Sequence, residues 1–340
     1  MIKTAALQFI SEINNIQSLG FGLINDTYLI NDDLVLQKIN THVFKEPEKI
    51  MLNLFELTKH IQKKTTLKLK IPTVLNTHHG VSYYRDEHNA VWRALSFVEN
   101  SFSIHQLEHL NQAEQIGFAL GYFHYLVHDL NTELLHDTLP NFHIAPFYLA
   151  QYQTAPKTKA HEFCETFIKQ YHYFVDDLEQ VKHQGLLKLR VTHGDPKIDN
   201  FLFDKNSLEV ISLIDLDTVK PALVHYDIAD CLRSCCHDKA TNTFSLEVCE
   251  AILSSYLKEV SAFFSAYDYD YLYPAIRLLP FELGLRFYTD YLQDNIYFKV
   301  EYPEQNLQRA IEQFKLCESI IEQETAIKQM IDKLICQINA

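Results

Sequence analysis

The chain has 340 residues, of which 47% are hydrophobic and 22% are charged. These values are ordinary for a globular protein and exclude disorder or low-complexity repeats as its main description. The net charge of −14, from 30 basic and 44 acidic side chains, excludes a dominant nucleic-acid-binding surface, because such a surface needs clustered positive charge.

The length predicts two domains or one domain with two lobes. The seven cysteines are odd in number and contain no C-x-x-C pair, so we expect reduced thiols and no structural zinc site. No run of eighteen apolar residues occurs, and the N-terminus lacks the apolar stretch of a signal peptide. We therefore expect a cytoplasmic protein that is not bound to a membrane.

The first hundred residues predict β-structure around one helix. Strand-like runs at 27–30 and 34–39 flank Asn31-Asp32-Asp33, a sequence typical of a turn, so they predict a hairpin. Two further strand-like runs lie at 80–84 and 90–98. Between the two pairs, apolar residues at helical spacing predict a helix after Pro47; they are Ile50, Leu54, Leu57 and Ile61.

Beyond about residue 105 the apolar spacing becomes helical. Short strands return at 191–219, and the pattern is helical again from Ser245 to the end. The predicted fold class is α+β with two lobes. A small β-rich lobe spans 1–99 and should bind nucleotide, and a larger, mainly helical lobe spans 100–340 and should carry catalysis and acceptor binding.

The segment 191–217 carries the most informative chemistry. Asp195 and Asn200 are five residues apart across a non-helical loop, and a predicted hairpin returns the chain at Asp215 beside that loop. Two carboxylates and an amide at adjacent strand ends suit phosphoryl transfer, in which one carboxylate accepts the proton of the attacking hydroxyl. The other carboxylate and the amide oxygen are suitable Mg²⁺ ligands. Lys197 is placed to offset the charge of the transferred group.

The pattern H-G-D-P-K-x-x-N at 193–200, followed by I-D-L-D-T at 214–218, resembles the aminoglycoside phosphotransferase and choline kinase superfamily. That superfamily has the protein-kinase-like fold. The similarity is closest to bacterial N-acetylhexosamine 1-kinases and extends from about residue 19 to 316. Further matching segments are Ile24–Tyr28, Leu36–Asn40, Trp92-Arg93, Tyr226-Asp227, Glu282–Phe287, Thr289–Leu292 and Asn306-Leu307.

The resemblance implies roles for the polar residues of this segment. Asp195 matches the catalytic base, and Asn200 and Asp215 match the magnesium ligands. Asp217 is either a further metal ligand or a support for the metal site. Asp227 matches a structural aspartate that holds the catalytic loop.

The N-terminal lobe contains candidates for nucleotide binding. Gly20 and Gly22, followed by Asn25, precede the first hairpin, where backbone N–H groups could cover phosphates. A kinase-like fold also requires a lysine on its third strand, and Lys38 is the candidate because it shares a strand face with Leu34 and Leu36. A shift of one residue would place Gln37 there instead.

Two further features of that lobe follow from the resemblance. The lysine's carboxylate partner on the next helix could be Glu48 or Glu56. The hinge between the lobes is expected at Phe97, Val98 and Glu99, where backbone groups would bind the adenine edge. The implied cofactors are ATP and Mg²⁺.

The acceptor site is expected in the C-terminal lobe. Arg286, Asp290 and Tyr291 lie on one predicted helix and match family positions near the acceptor, as does His143. Arg286 and Asp290 are four residues apart, so they face the same way and could equally form an intrahelical salt bridge.

The favoured hypothesis is an ATP- and Mg²⁺-dependent kinase for a sugar hydroxyl, most specifically the anomeric hydroxyl of an N-acetylhexosamine. Alternatives are a kinase for an aminoglycoside, choline or an amino alcohol, or a non-catalytic nucleotide-binding protein. The expected partner is a small-molecule acceptor, with no nucleic acid and no membrane, and the chain is expected to act as a monomer or homodimer.

Overall fold

The computed structural model describes residues 1–19 and 24–338. Its N-terminal part contains a six-stranded sheet in the order β1-β2-β3-β6-β4, with β5 also paired to β6. These elements are α1 (Ile2–Ala6), β1 (Ile16–Ser18), β2 (Asp26–Ile30), β3 (Leu34–Ile39), α2 (Glu48–Ile61), β4 (Val74–Leu75), β5 (Tyr84–Arg85) and β6 (Val91–Ser96). The predicted order of hairpin, helix and further strands is confirmed.

The β2–β3 hairpin turns where the sequence predicts it. Asn31 and Asp32 both adopt the left-handed conformation, with φ of 54° and 55°, which short polar side chains tolerate. The helix α2 buries its predicted apolar face, namely Ile50, Leu54, Leu57 and Ile61. Propensity and spacing are therefore sufficient to place these two elements.

The strand β3 is apolar on both faces. Leu34 and Leu36 point toward one face and pack with Ala5 and Ala6 of α1. Ile39 points to the opposite face and joins the large core that includes α2. Because side chains alternate along a strand, Gln37 shares the face of Ile39, and Lys38 shares the face of Leu36.

The C-terminal part is mainly helical. Its helices are α3 (Leu110–Val127), α4 (Ala145–Thr154), α5 (Glu162–Tyr171), α6 (Asp177–His183), α7 (Val224–Cys235), α8 (Leu246–Val260), α9 (Ala266–Asp270), α10 (Leu272–Leu292), α11 (Gln305–Glu322) and α12 (Glu324–Ile338). Its strands are β7 (Ser101–Ser103), β8 (Arg190–Thr192), β9 (Phe201–Asp204), β10 (Val210–Leu213), β11 (Lys220–Ala222), β12 (His237–Asp238) and β13 (Thr243–Phe244). The predicted β insertion within a helical lobe is confirmed.

Two glycines allow α3 and α8 to pack very closely. A Cβ added at Gly117 would lie 2.1 Å from the carbonyl oxygen of Ile252, and one added at Gly121 would lie 2.8 Å from that of Tyr256. Any side chain at these positions would therefore push the helices apart. Among the described residues, no helix is both long and apolar enough to cross a membrane.

The β insertion positions the candidate catalytic and metal-binding residues of the segment 193–215. The hairpin of β9 and β10 follows the loop 193–200 and ends at Leu213, two residues before Asp215. The N–H of Ile214 donates to the carbonyl oxygen of Asn200 at 3.0 Å, so the returning strand is fixed to the loop. This arrangement brings Asp215 beside the loop, as the sequence predicts.

Candidate active site

The loop 193–200, here called the catalytic loop, turns sharply at Gly194. This glycine has φ of +89°, and a Cβ there would lie 2.7 Å from the carbonyl oxygen of Thr218. The Thr218 hydroxyl donates to the carbonyl oxygen of His193 at 2.9 Å. A residue without a side chain is therefore required where the loop crosses the turn at 216–218.

The side chain of Asp227, on α7, holds the catalytic loop by binding the backbone of that loop. Its carboxylate accepts hydrogen bonds from the N–H groups of His193, at 2.6 Å, and Gly194, at 2.8 Å. It also lies 2.9 Å from Nε2 of His124, which comes from α3. Asp227 thus has the loop-holding role that the resemblance implied.

The ring of His193 joins the loop to the strand that leads to Asp215. Its Nδ1 accepts from the N–H of Asp195 at 3.3 Å, which leaves Nε2 to donate to the carbonyl oxygen of Ile214 at 2.9 Å. Burial lowers the pKa of His193. A neutral imidazole with its proton on Nε2 satisfies both contacts.

Asp195, Lys197 and Asn200 form a compact polar group. Nζ of Lys197 donates to Oδ2 of Asp195 at 2.7 Å. Burial alone would lower the pKa of Lys197, but the carboxylates of Asp195 and Asp215 raise it. The amide nitrogen of Asn200 donates to the carbonyl oxygen of Asp195 at 2.7 Å. Lys197 is therefore a cation beside the expected base, and the amide oxygen of Asn200 is left for another partner.

Asp215 adopts the left-handed conformation, with φ of 63° and ψ of 51°. Within the described residues its carboxylate accepts no hydrogen bond from any protein donor. Burial raises its pKa to about 6, although Lys197 opposes the shift. A desolvated carboxylate and an amide oxygen are hard oxygen donors, and the backbone bond between Ile214 and Asn200 joins the two segments that carry them, so Asp215 and Asn200 fit the expected Mg²⁺ ion.

Asp217 has both carboxylate oxygens occupied. Nδ2 of Asn25 donates to Oδ2 at 2.8 Å, and Nη2 of Arg93 donates to Oδ1. The side chain of Asp217 is 2% exposed. Of the two roles considered for it, this geometry favours support of the metal site over direct ligation. Asn25 is thereby tied to the C-terminal part, and its Oδ1 accepts from the N–H of Asn40 at 2.9 Å.

The prediction for Lys38 is wrong. Lys38 pairs across the sheet with Trp92, on the face that packs against α1. The residue on the opposite face is Gln37, which pairs with Arg93 and accepts two hydrogen bonds from it. The apolar neighbours Leu34 and Leu36 therefore mark a face of β3 that turns away from Asp217.

The two candidate carboxylate partners of Lys38 also lie elsewhere. Glu48 pairs with Arg85, and Glu56 lies 3.8 Å from Lys59 on its own helix. The polar residue that α2 buries is Asn53, whose amide donates to the carbonyl oxygens of His136 and Val219 at 2.8 and 2.9 Å. Gly20 and Gly22, the predicted phosphate-covering glycines, lie outside the described residues.

The expected hinge at Phe97, Val98 and Glu99 connects β6 to β7. The N–H of Phe97 donates to the carbonyl oxygen of Asp33 at 3.3 Å. The carbonyl oxygen of Val98 accepts from the hydroxyl of Ser101 at 2.6 Å. In the described part of the chain the N–H of Val98 has no hydrogen-bond acceptor, and adenine binding at this segment stays a prediction.

A cavity of about 550 Å³ opens beside the catalytic loop. Its wall includes Asp195, Lys197 and Asp215 at the loop and Arg286 from α10. The Arg286 guanidinium lies over the rings of Phe142, Tyr148 and Phe298, at 5.1, 4.9 and 5.6 Å from their centroids. It forms no hydrogen bond or ion pair with any described residue, so it is available to an acceptor.

His143 lines the same cavity, but both of its ring nitrogens are occupied. Nδ1 lies 3.0 Å from Oε1 of Glu282, and Nε2 lies 2.9 Å from the carbonyl oxygen of Gly194. Burial alone would lower the pKa of His143, but the Glu282 carboxylate raises it. One of these two contacts holds the catalytic loop, and an acceptor contact of His143 stays a prediction.

The other predicted acceptor residues of α10 are not in the cavity wall. Asp290 is buried, and its carboxylate accepts from the N–H groups of Tyr297 and Phe298 at 2.8 and 2.9 Å. It does not pair with Arg286. Tyr291 lies beside Tyr288. Asp290 thus fastens the loop whose residues Tyr297 and Phe298 do line the cavity.

Sequence reasoning assigned no role to several charged residues of the cavity wall. They are Asp230, Arg233, Lys239, Lys299, Arg309 and Glu312. Asp230 and Arg233 form an ion pair at 2.8 Å on α7. Their i, i+3 spacing on a helix predicts the pair but not its position at a cavity.

Comparisons with known proteins identify the family and the fold of the chain. The model of the phosphotransferase enzyme family matches residues 15–263, which is more than half of the chain. A microcompartment-associated aminopropanol kinase is 14% identical, with a TM-score of 0.69 and coverage of 96% of this chain and 99% of that chain. The GDP complex of aminoglycoside 2′-phosphotransferase-IIIa is 13% identical, with a TM-score of 0.66 and coverage of 92% and 97%.

A choline/ethanolamine kinase family protein from Mesorhizobium loti is 14% identical, with a TM-score of 0.64 and coverage of 94% of this chain and 92% of that chain. At these identities the structural similarity establishes the two-lobed, kinase-like fold and not the acceptor. The family match covers the N-terminal sheet, the catalytic loop and the Asp215 turn. The chain therefore belongs to the phosphotransferase enzyme family.

Proposed function

We propose that this protein is an ATP- and Mg²⁺-dependent kinase that phosphorylates a hydroxyl group of a sugar. One observation carries the proposal. The Asp195 carboxylate, paired with Lys197, lies in the wall of the same cavity as Asp215 and Arg286. The proposed base, the carboxylate proposed to hold the metal ion and the cation proposed to bind the acceptor therefore all line the same cavity.

Each of the polar residues around the cavity has a separate role in the proposed reaction. Asp195 orients the acceptor hydroxyl and accepts its proton as the oxygen attacks the γ-phosphorus. Lys197 neutralises charge on the transferred group, and Asn200 and Asp215 would hold the metal ion. When bound, Mg²⁺ neutralises charge on the β- and γ-phosphates. Asp227 and His143 keep the loop backbone in place, so that Asp195 is oriented before the acceptor arrives.

The charged side chains in the wall of the cavity favour a neutral sugar over a polycationic acceptor. Lys239, Lys299 and Arg286 line the cavity and form no ion pair within residues 1–19 and 24–338; among the acidic residues of the wall, Asp230 is already paired with Arg233 and Glu312 is unpaired within the same residues. A polycation would meet these unpaired positive charges, and like charges repel. Guanidinium groups and aromatic rings together suit a polar, uncharged ring with hydroxyl and amide groups.

We further propose that the acceptor is the anomeric hydroxyl of an N-acetylhexosamine, which gives a sugar 1-phosphate. This finer assignment is supported by the motifs of the catalytic loop and of α10, including Arg286, which resemble those of N-acetylhexosamine 1-kinases. The acceptor identified in each structural neighbour belongs to that neighbour, and identities of 13–14% do not transfer it.

The test measures ADP release from ATP and Mg²⁺ over a panel of acceptors. The panel contains N-acetylglucosamine, N-acetylgalactosamine, other hexoses, choline, an aminopropanol and an aminoglycoside, with the Asp195→Asn variant as the inactive control. We expect turnover with an N-acetylhexosamine and none with its methyl glycoside, in which the 1-position is blocked. Turnover only with a cationic acceptor would move the protein to an amino-alcohol or aminoglycoside kinase. Nucleotide binding without turnover on any acceptor would favour a non-catalytic role.

A further inference from the structure

We propose that Arg93, on β6, supplies the positive charge beside the nucleotide phosphates that a kinase-like fold otherwise takes from a lysine on the third strand. The inference rests on the proposed nucleotide-dependent function. It assigns to Arg93 a direct contact with a phosphate group of the nucleotide, and it assigns no such contact to Lys38.

The strand register places Arg93 on the face of the sheet that meets the C-terminal part. On β3 the residue that faces the C-terminal part is Gln37, a neutral side chain, and its cross-strand neighbour on β6 is Arg93. Side chains of directly paired residues lie on the same face of a sheet. The cation on this face therefore comes from the neighbouring strand, one strand spacing away from the usual position.

Gln37 is suited to hold that cation. Its Oε1 accepts from Nε and Nη2 of Arg93 at 3.0 and 2.7 Å, and its Nε2 donates to the hydroxyl of Thr27 at 3.1 Å. A lysine at position 37 would place an ammonium group against the guanidinium, which like-charge repulsion disfavours. Glutamine on β3 and arginine on β6 thus form one matched arrangement.

The guanidinium is left only partly satisfied. It has five N–H donors, of which three are used, on Nε and Nη2, by Gln37 and Asp217. The remaining two are on Nη1, which is buried and has no hydrogen-bond partner within residues 1–19 and 24–338. The Arg93 side chain is only 1% exposed, and a buried charged donor without an acceptor is costly.

The missing acceptor is best supplied by a phosphate oxygen. Asp217, the ion-pair partner of Arg93, follows the expected metal ligand Asp215 by two residues. Arg93 is therefore fixed to the same turn that would hold the metal ion on the phosphates. A guanidinium forms directional, charge-assisted hydrogen bonds with phosphate, so it suits this site as well as a lysine does.

The experiment compares the affinities of ATP and adenosine, with Mg²⁺ present, by calorimetry. Adenosine lacks phosphates, so it separates a phosphate contact from damage to the whole site. Because removing Arg93 alone would leave the Asp217 carboxylate buried and unpaired, the test variant is the double substitution Arg93→Gln, Asp217→Asn. Asp217→Asn alone is the matched control that keeps the guanidinium, and Lys38→Met is the control for the strand lysine.

We expect the Kd for ATP to rise at least about tenfold in the double variant relative to Asp217→Asn, which is the loss expected for a charge-assisted hydrogen bond. The Kd for adenosine should stay within about twofold, and Lys38→Met should leave both unchanged. Equal weakening of ATP and adenosine, or a loss of ATP affinity in Lys38→Met instead, would overturn the inference. A wild-type chain that binds neither ligand would overturn the proposed function as well, so the two failures are distinguishable.

Discussion

Nε2 of His143 lies 2.9 Å from the carbonyl oxygen of Gly194, the residue immediately before Asp195. On its other side the ring meets the carboxylate of Glu282 at 3.0 Å. Both neighbours are acceptors when Glu282 is ionised, so an imidazolium that donates from both nitrogens satisfies them together. This chain of contacts links α10 to the backbone that carries the proposed base.

The stabilising effect of His143 should depend on pH. Its pKa is raised above the ordinary value of 6.5 by the Glu282 carboxylate, against the effect of burial. The folded state therefore binds this proton more tightly, and the contribution is complete below the unfolded pKa and is lost as pH rises through the folded pKa. We expect His143→Gln to lower the free energy of unfolding by about 1–3 kcal/mol at pH 6 and by less at pH 9. Urea unfolding of both proteins at the two pH values measures this, and an equal difference at both would contradict it.

Gly194→Ala should damage both stability and turnover. The new Cβ would lie 2.7 Å from the Thr218 carbonyl oxygen, in a residue with φ of +89°. Gly185 is the matched control, because its φ is +74° but nothing lies within 4 Å of an added Cβ. We expect Gly185→Ala to cost about 1 kcal/mol of stability and leave turnover unchanged, since it tests the backbone conformation alone. Gly194→Ala should cost more and lower kcat at least about tenfold because the loop must shift. Similar kcat values for the two variants would show that the contact with Thr218 is unimportant.

Asp215→Asn should abolish the Mg²⁺-dependence of nucleotide binding. The substitution keeps the size of the side chain and removes the anionic oxygen that a hard cation requires. We expect the affinity for ATP to become nearly the same with and without Mg²⁺, while Asp195→Asn keeps the Mg²⁺ effect and loses turnover. Calorimetric titration of both variants in Mg²⁺ and in EDTA makes the comparison. A Mg²⁺ effect of wild-type size in Asp215→Asn would remove this residue from the metal site.

Arg286→Gln should weaken acceptor binding specifically. The guanidinium faces the cavity, is flanked by three aromatic rings and forms no hydrogen bond or ion pair with any described residue. We expect the KM for the acceptor to rise about tenfold or more, with the KM for ATP within about twofold of the wild type. Arg85→Gln, at an exposed arginine of the N-terminal sheet, serves as the control for loss of a positive charge. Equal changes in both KM values would indicate damage to the whole site.

The sequence was sufficient where one local pattern decides the structure. The hairpin at 27–39, the helix α2 and the return of the chain at Asp215 all depend on turn residues and apolar spacing within about twenty residues. The positions of the proposed base and metal ligands also follow from a local pattern, because the hairpin of β9 and β10 alone brings Asp215 to the catalytic loop.

The sequence-based predictions that the structure contradicts concern contacts between segments that are distant in the chain. Alternation along β3 separates Lys38 from Gln37, but both faces of the strand are apolar, so the pattern does not indicate which face meets the C-terminal part. The spacing of Arg286 and Asp290 places them on one side of α10 but does not reveal that the loop at 297–298 covers Asp290. Arg93 stands out in the sequence as a cation in an otherwise apolar strand, which is an unusual residue to bury, and Trp92-Arg93 is one of the segments that match the resembled family, but neither signal gives it a role.

The close contact of α3 and α8 has a consequence for how this protein can diverge. The same two helices carry His124 and Tyr256, whose side chains meet at 2.9 Å, and His124 continues to Asp227 under the catalytic loop. A larger residue at Gly117 or Gly121 would separate the helices and displace His124 from Asp227. Two small residues far from any ligand are thus expected to be as intolerant of replacement as the base itself. Natural homologues should vary the rim of the cavity freely while keeping this distant pair of glycines.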